Sequence, residues 1–171
     1  MDAAIRQRSD YGSILRDSGQ RALSVSVRSV QPFQMVRVGP YTVVPYPANH
    51  APESDGLLYS ISDGASSVFY GADTAVIDDS VWQDAADRGT VFDIVVLDHT
   101  YGMGQPSTDH LAADDVVACV GMLRERAILA SKGRVLATHL SHEAFSADAS
   151  LDSFATAHGY ELAWDGLRIQ L

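Results

Sequence analysis

Cysteine is nearly absent: Cys119 stands alone in 171 residues. No disulfide can close within the chain, and no thiolate cluster can hold a metal. Basic residues are scarce as well, 12 Lys and Arg against 22 Asp and Glu, a formal net charge of -10. Such a chain is a poor non-specific partner for a phosphate backbone or an anionic membrane. An anionic substrate is still admissible where bound cations reverse the local field. Long apolar runs are also missing. Nothing approaches the ~20 residues of a membrane span, and the opening stretch MDAAIRQRSDYGSILRDSG lacks a signal-type apolar core. The cytoplasm is the expected compartment. What is present is a 46% apolar composition, enough for one packed domain and against disorder.

The pattern along the chain reads as a single domain over 1–171 with a mixed α/β architecture. Residues 1–21 are polar and weakly periodic, a loose arm or short helix. Leu23 to Val30 (LSVSVRSV) alternates apolar and polar, as a half-buried strand does. Phe33 to Val38 and Tyr41 to Pro45, split by Gly39-Pro40, predict a hairpin, and so do Leu57 to Ser62 and Ser67 to Tyr70 around Asp63-Gly64. A helix is expected over Ala75 to Arg88. Phe92 to Leu97 (FDIVVL) reads as a strand buried on both faces. Ser107, Thr108 or Asp109 would cap a helix running to Lys132, with Val116, Val120, Leu123 and Ala127 on one face and Gly133 ending it. A strand over Arg134 to Ala137, a helix over Ser150 to Ala157 and a hairpin at Asp165-Gly166 complete the reading. Strands alternating with helices place helices over a sheet.

Three polar residues follow strands: His50, Asp73 and His139. Strand ends present side chains to a common crevice. Imidazole with carboxylate suits zinc, manganese or iron, and a carboxylate can bridge two ions. Each also has a plain reading. His50 in PANHAP fits a loop histidine, Asp73 in GADTA fits a helix cap, and His139 fits a partly buried histidine. Their wide separation in sequence leaves the choice open. His99 reads as a turn residue after a buried strand, with a place on the site rim as the alternative. His158 sits at a helix end, where its cationic form meets the dipole.

Taken together, VVPYPANHAP, VFYGADTA, FDIVVLDHTYG, TDHLAADDV and RVLATHLSHEAF resemble the C-terminal half of the metallo-β-lactamase superfamily. The nearest branch is the cyclic phosphodiesterase of phosphonate metabolism, akin to the tRNA 3′-processing endonucleases. The resemblance covers roughly Leu23 to the end. It implies half of an αββα sandwich and a metal-dependent hydrolase, a phosphodiesterase acting on a small phosphodiester with zinc or manganese. By the same resemblance His50 is a ligand of the first ion, Asp73 bridges both ions and His139 is a ligand of the second. Two metals would activate a bridging hydroxide, with His110 as the catalytic histidine that assists phosphodiester cleavage. His142 has no ligand role in this pattern and reads as a rim group.

The superfamily's His-x-His-x-Asp-His run is not in this chain, whose six histidines are His50, His99, His110, His139, His142 and His158. The chain is therefore expected to start after that run and to be inactive alone. A catalytic zinc usually takes three protein ligands, so binding should be weak or partial. Half of the sandwich would leave one sheet face bare. The expected partner is the missing N-terminal half or a second copy, and a non-catalytic binding or assembly module is the alternative.

Overall fold

The computed structural model describes residues 28–51, 55–105, 108–141 and 150–171. Contacts group the chain into Met1–Gln31 and Pro32–Leu171, and the second unit is the one described. The arm expected over 1–21, and all but residues 28–30 of the strand expected over Leu23 to Val30, lie outside the described residues. Residues 28–30 are not strand.

Among the described residues seven strands form one mixed sheet in sequential order. They are β1 (Val36–Val38), β2 (Tyr41–Pro47), β3 (Leu57–Ser62), β4 (Ser67–Gly71), β5 (Phe92–Asp98), β6 (Leu129–Thr138) and β7 (Glu161–Leu162). Strands β1 to β4 pair antiparallel, β1 with β2 and β3 with β4 through the two expected hairpins, and β4 to β7 pair parallel. Each parallel step needs a crossover, supplied by α1 (Asp79–Asp87), α2 (Ala113–Glu125) and α3 (Ser150–His158). Because β2 runs with β4, β5 and β6, these four strands end at the same edge of the sheet.

One face of the sheet carries the register row Val44, Ser60, Phe69, Val95 and Val135. All but Ser60 join one core with Val81 and Trp82 of α1, Val116, Val120 and Leu123 of α2, and Ala155 of α3. The opposite face carries Tyr59, Tyr70, Val96 and Leu136 in another row. Tyr59 and Val96 are half-buried there, and Tyr70 is exposed.

Several local expectations need correction. Helix α1 begins at Asp79 rather than Ala75, because the Asp78 side chain accepts from Ser80 N and caps it there. Ser107 lies outside the described residues, and neither Thr108 nor Asp109 caps α2. It starts at Ala113, where the Asp115 carboxylate reaches back to Ala112 N at 2.8 Å. Helix α2 stops at Glu125 rather than Lys132. Ala127 takes φ 54, and Ala127 N→Arg124 O and Ile128 N→Leu123 O close a Schellman turn. Ala127 is thus exposed beyond the helix rather than on its apolar face. Gly133 lies inside β6, beside a register irregularity. A Cβ there would meet Phe92 O and Ala130 O at 2.9 Å, so close approach of two backbones requires this glycine. Finally, Asp165-Gly166 does turn, with Leu167 N bonding Trp164 O, but no strand follows β7. Among the described residues no helix is long and apolar enough to cross a membrane.

Candidate metal centre

The shared edge gathers the site. His50 follows β2, Asp73 follows β4, Asp98 ends β5 and His139 follows β6, while His110 comes from the loop between β5 and α2. Two loops are stapled together to bring His50 to Asp73. Asn49 N donates to Thr74 Oγ1 at 3.0 Å, Ala75 N donates to Asn49 O at 2.6 Å, and Asn49 Nδ2 donates to Val76 O at 3.2 Å.

Asp98 forms the floor and is fully buried. Its Oδ2 accepts from Asp73 N at 3.0 Å, Thr74 N at 3.4 Å and His110 Nδ1 at 3.0 Å. Its Oδ1 accepts from Thr100 N at 2.9 Å and Leu111 N at 3.2 Å, and lies 2.9 Å from Thr100 Oγ1. One carboxylate therefore sets the backbone that carries Asp73, the ring of His110 and the start of the loop behind it. The Asp73 side chain stands above this floor, 58% exposed. Both Asp73 (φ 62) and His139 (φ 63) adopt left-handed backbone. Asp and His tolerate that region better than most residues, and it turns each chain sharply at its strand end.

The tautomers follow from the bonds. His50 Nδ1 lies 2.9 Å from the Asp109 carbonyl, which only accepts, so Nδ1 carries a proton. That bond is also the main reason the His50 pKa is raised, with burial opposing it and Asp73 adding to it. Thr100 Oγ1 has only acceptors, Asp98 Oδ1 and His139 O, for its single proton. It therefore accepts at 2.7 Å from His139 Nδ1–H. In the neutral imidazoles both Nε2 atoms then carry lone pairs. His50 Nε2 lies 3.6 Å and His139 Nε2 3.7 Å from the same Asp73 Oδ1.

These separations are too long for hydrogen bonds. They suit an ion between each pair: with metal–ligand bonds of about 2.1 Å, they correspond to a ligand–metal–ligand angle of roughly 120°. The donor set fits a divalent metal on chemistry too, because Asp73, Asp98, His110 and His139 offer ligand atoms within 4.8 Å of one another, and so do His50, Asp109 and His110. Asp98 is the poorest ligand among them, its oxygens being already taken by backbone and side-chain donors.

The structure thus brings His50, Asp73, His110 and His139 together. Sequence reasoning passed over Asp98, Thr100, Tyr101 and Asp109. The one available signal was an acid closing an apolar strand and followed two residues later by threonine, in FDIVVLDHT. His99 is excluded from the rim. Successive strand residues face opposite sides, so Asp98 faces the site while His99 is buried in the core, its Nε2 2.9 Å from Tyr160 OH. His158 Nδ1 bonds Phe154 O at the end of α3, and His142 lies outside the described residues. A cleft of about 810 Å³ floored by Ile77, Trp82, Leu111 and Met122 lies beside the cluster and contains none of its residues.

No family model matches the sequence, and no curated protein does. Solved structures do match. One is YhfI of Bacillus subtilis, a metallo-β-lactamase fold protein, at 20% identity and a TM-score of 0.61, over 90% of this chain and 60% of that one. A diphosphatase from the PhnP family matches at 20% identity and 0.60, over 91% and 53%. Zinc-bound PqqB from Methylobacterium extorquens matches at 12% and 0.62, over 91% and 63%. The chain has the metallo-β-lactamase fold. It spans about 60% of the length of YhfI and comparable shares of the other two. The metallo-β-lactamase fold accounts for the common edge on which the cluster is built.

Burial lowers the His99 pKa, with bonds to backbone groups offsetting part of the effect. Tyr160 lies against the ring and Asp98 is adjacent to it in the chain. The sign follows directly: above the unfolded value of about 6.5 the ring is neutral in both states, and as pH falls below it the unfolded chain takes the proton first. Stability should therefore decline from about pH 6.5 downward, and His99→Gln should flatten that decline. Urea melts at pH 7.5 and 5.5 measure it; an equal pH slope in the variant would discount the buried imidazole.

Proposed function

We propose that this chain supplies one side of a dinuclear metal centre in a hydrolase acting on small phosphodiesters. The observation that carries the reading is Asp73 Oδ1 set between two imidazole Nε2 atoms. His50 and Asp73 would hold one ion, His139 and Asp73 the other, with zinc or manganese suited to this nitrogen and oxygen set. The ions would supply polarisation of a phosphoryl oxygen and a water of lowered pKa. The chain's own catalytic group is His110. Asp98 accepts from its Nδ1–H, which fixes the ring; with a second proton on Nε2 the ring could pass that proton to a leaving oxygen. The diphosphatase among the fold relatives supports a phosphoryl substrate, and zinc in PqqB supports the metal.

Two ions sharing one carboxylate, with one histidine each, fall short of three protein ligands apiece. That shortfall motivates a complementing segment, either an N-terminal half bearing His-x-His-x-Asp-His or a second copy that covers the face of Tyr59, Tyr70 and Val96. It also favours a second reading, a non-catalytic assembly module. Non-specific nucleic-acid binding and membrane attachment do not fit the net charge of -10. The cytoplasm suits a chain with a single cysteine, Cys119, whose thiol burial pushes up to about 12.

The test is hydrolysis of bis-(p-nitrophenyl) phosphate with manganese, by the chain alone and with a segment carrying the histidine run. Metal-stimulated turnover only in the mixture is expected. No turnover in either, with the two pieces associated in sedimentation, selects the assembly module.

A further inference from the structure

We propose that Tyr101 is a positioning residue, which fixes the His50 imidazole for metal through Asp109 without touching the ion. The inference rests on the metal-centre reading of His50. The proton on His50 Nδ1 is set by the Asp109 backbone carbonyl at 2.9 Å, so Nε2 is a ligand only as long as that carbonyl stays in place. The carbonyl belongs to the loop between β5 and α2, where nothing repetitive holds it. Its anchor is the residue's own carboxylate: Asp109 Oδ1 accepts from Tyr101 OH at 2.5 Å and from Thr108 Oγ1 at 2.7 Å. These bonds hold the Asp109 carboxyl below the usual range. Tyr101 in turn is pinned by its backbone N to Leu111 O at 3.1 Å. Its ring meets His110 edge-on, with centroids 5.8 Å apart. A single phenol thus joins the supports of two site histidines. Partners that orient ligand histidines change metal affinity about 10–100-fold when removed.

A direct role competes with this one, because Asp109 and both histidines could share an ion. Two substitutions separate them. Tyr101→Phe removes only the hydroxyl. Asp109→Asn keeps an acceptor for Tyr101 and removes the charge a ligand needs. The readouts are zinc titration by calorimetry and nitrogen-15 NMR of the His50 ring in metal-free protein. In Tyr101→Phe we expect zinc affinity to fall at least about tenfold and the ring to pass from one Nδ1–H tautomer to a mixture. In Asp109→Asn zinc affinity and the His50 tautomer should change together, because the residue acts on the imidazole through its carbonyl. A single tautomer and parental affinity in Tyr101→Phe overturn the proposal, as does loss of binding in Asp109→Asn with the single Nδ1–H tautomer of His50 kept, which would make Asp109 a ligand. Should the parent chain bind no zinc, the metal reading fails, while the tautomer measurement still decides the role of Tyr101.

Discussion

Asp98→Ala should lower the melting temperature by roughly 6–20 °C, the largest effect of any single change in the site. The carboxylate is fully buried and accepts from four backbone N–H groups, the His110 ring and the Thr100 hydroxyl. Removing it strands those donors away from water. Each unsatisfied buried donor costs about 1–3 kcal/mol, and several stranded together cost about 3–5 kcal/mol. For a chain of this length 1 kcal/mol shifts the midpoint by about 2–4 °C, hence the range. Asp98→Asn is the stricter variant. It keeps the volume but turns an NH2 group toward donors on one side of the floor. Calorimetric melting of both variants gives the answer, and an Asp98→Asn midpoint equal to the parent's would show that the floor does not carry the edge of the sheet.

Asp73→Asn should do the opposite: little to stability and nearly everything to metal. The structural work at this position is done by its backbone N–H, bonded to Asp98, whereas the side chain is 58% exposed. Asparagine tolerates the left-handed φ of 62 as aspartate does. Exposed substitutions of this kind stay within about ±0.5 kcal/mol, a shift of about 1–2 °C. The amide, though, cannot bridge two cations as a carboxylate can. Zinc or manganese affinity should fall at least about a hundredfold, beyond the loss expected for a supporting residue. Calorimetric titration beside a melting curve reads both. Retained affinity at a parental midpoint would place the metal elsewhere, with the set His50, Asp109 and His110 examined next.

These two aspartates divide the site into a part that holds the edge together and a part that meets the ion, and the division was invisible in the chain. Asp73 was legible because GADTA recurs in a known pattern after a hairpin. Asp98 was hidden inside FDIVVLDHT, where attention falls on the histidine. Strand alternation then reverses the expected importance of the pair, sending His99 into the core and Asp98 to the site. Ala127 teaches the same lesson for the fold. Its left-handed turn ends α2 without the glycine that usually marks such a stop, so apolar spacing alone ran the helix seven residues too far.

Composition, turn residues and periodicity were sufficient by themselves for the class of fold, the two hairpins and the strands β4, β5 and the end of β6. These depend on local preferences, apolar alternation and glycine turns, which are written in neighbouring residues. Motif resemblance added His50, Asp73, His110 and His139 as candidates. Only the tertiary structure decided what holds them. The supporting bonds join residues far apart in the chain, 25 positions between Asp73 and Asp98 and 59 between His50 and Asp109. No local pattern encodes such a distance. It is set by the strands β2, β4, β5 and β6 running the same way, so that their ends, and the polar groups placed there, arrive at one edge.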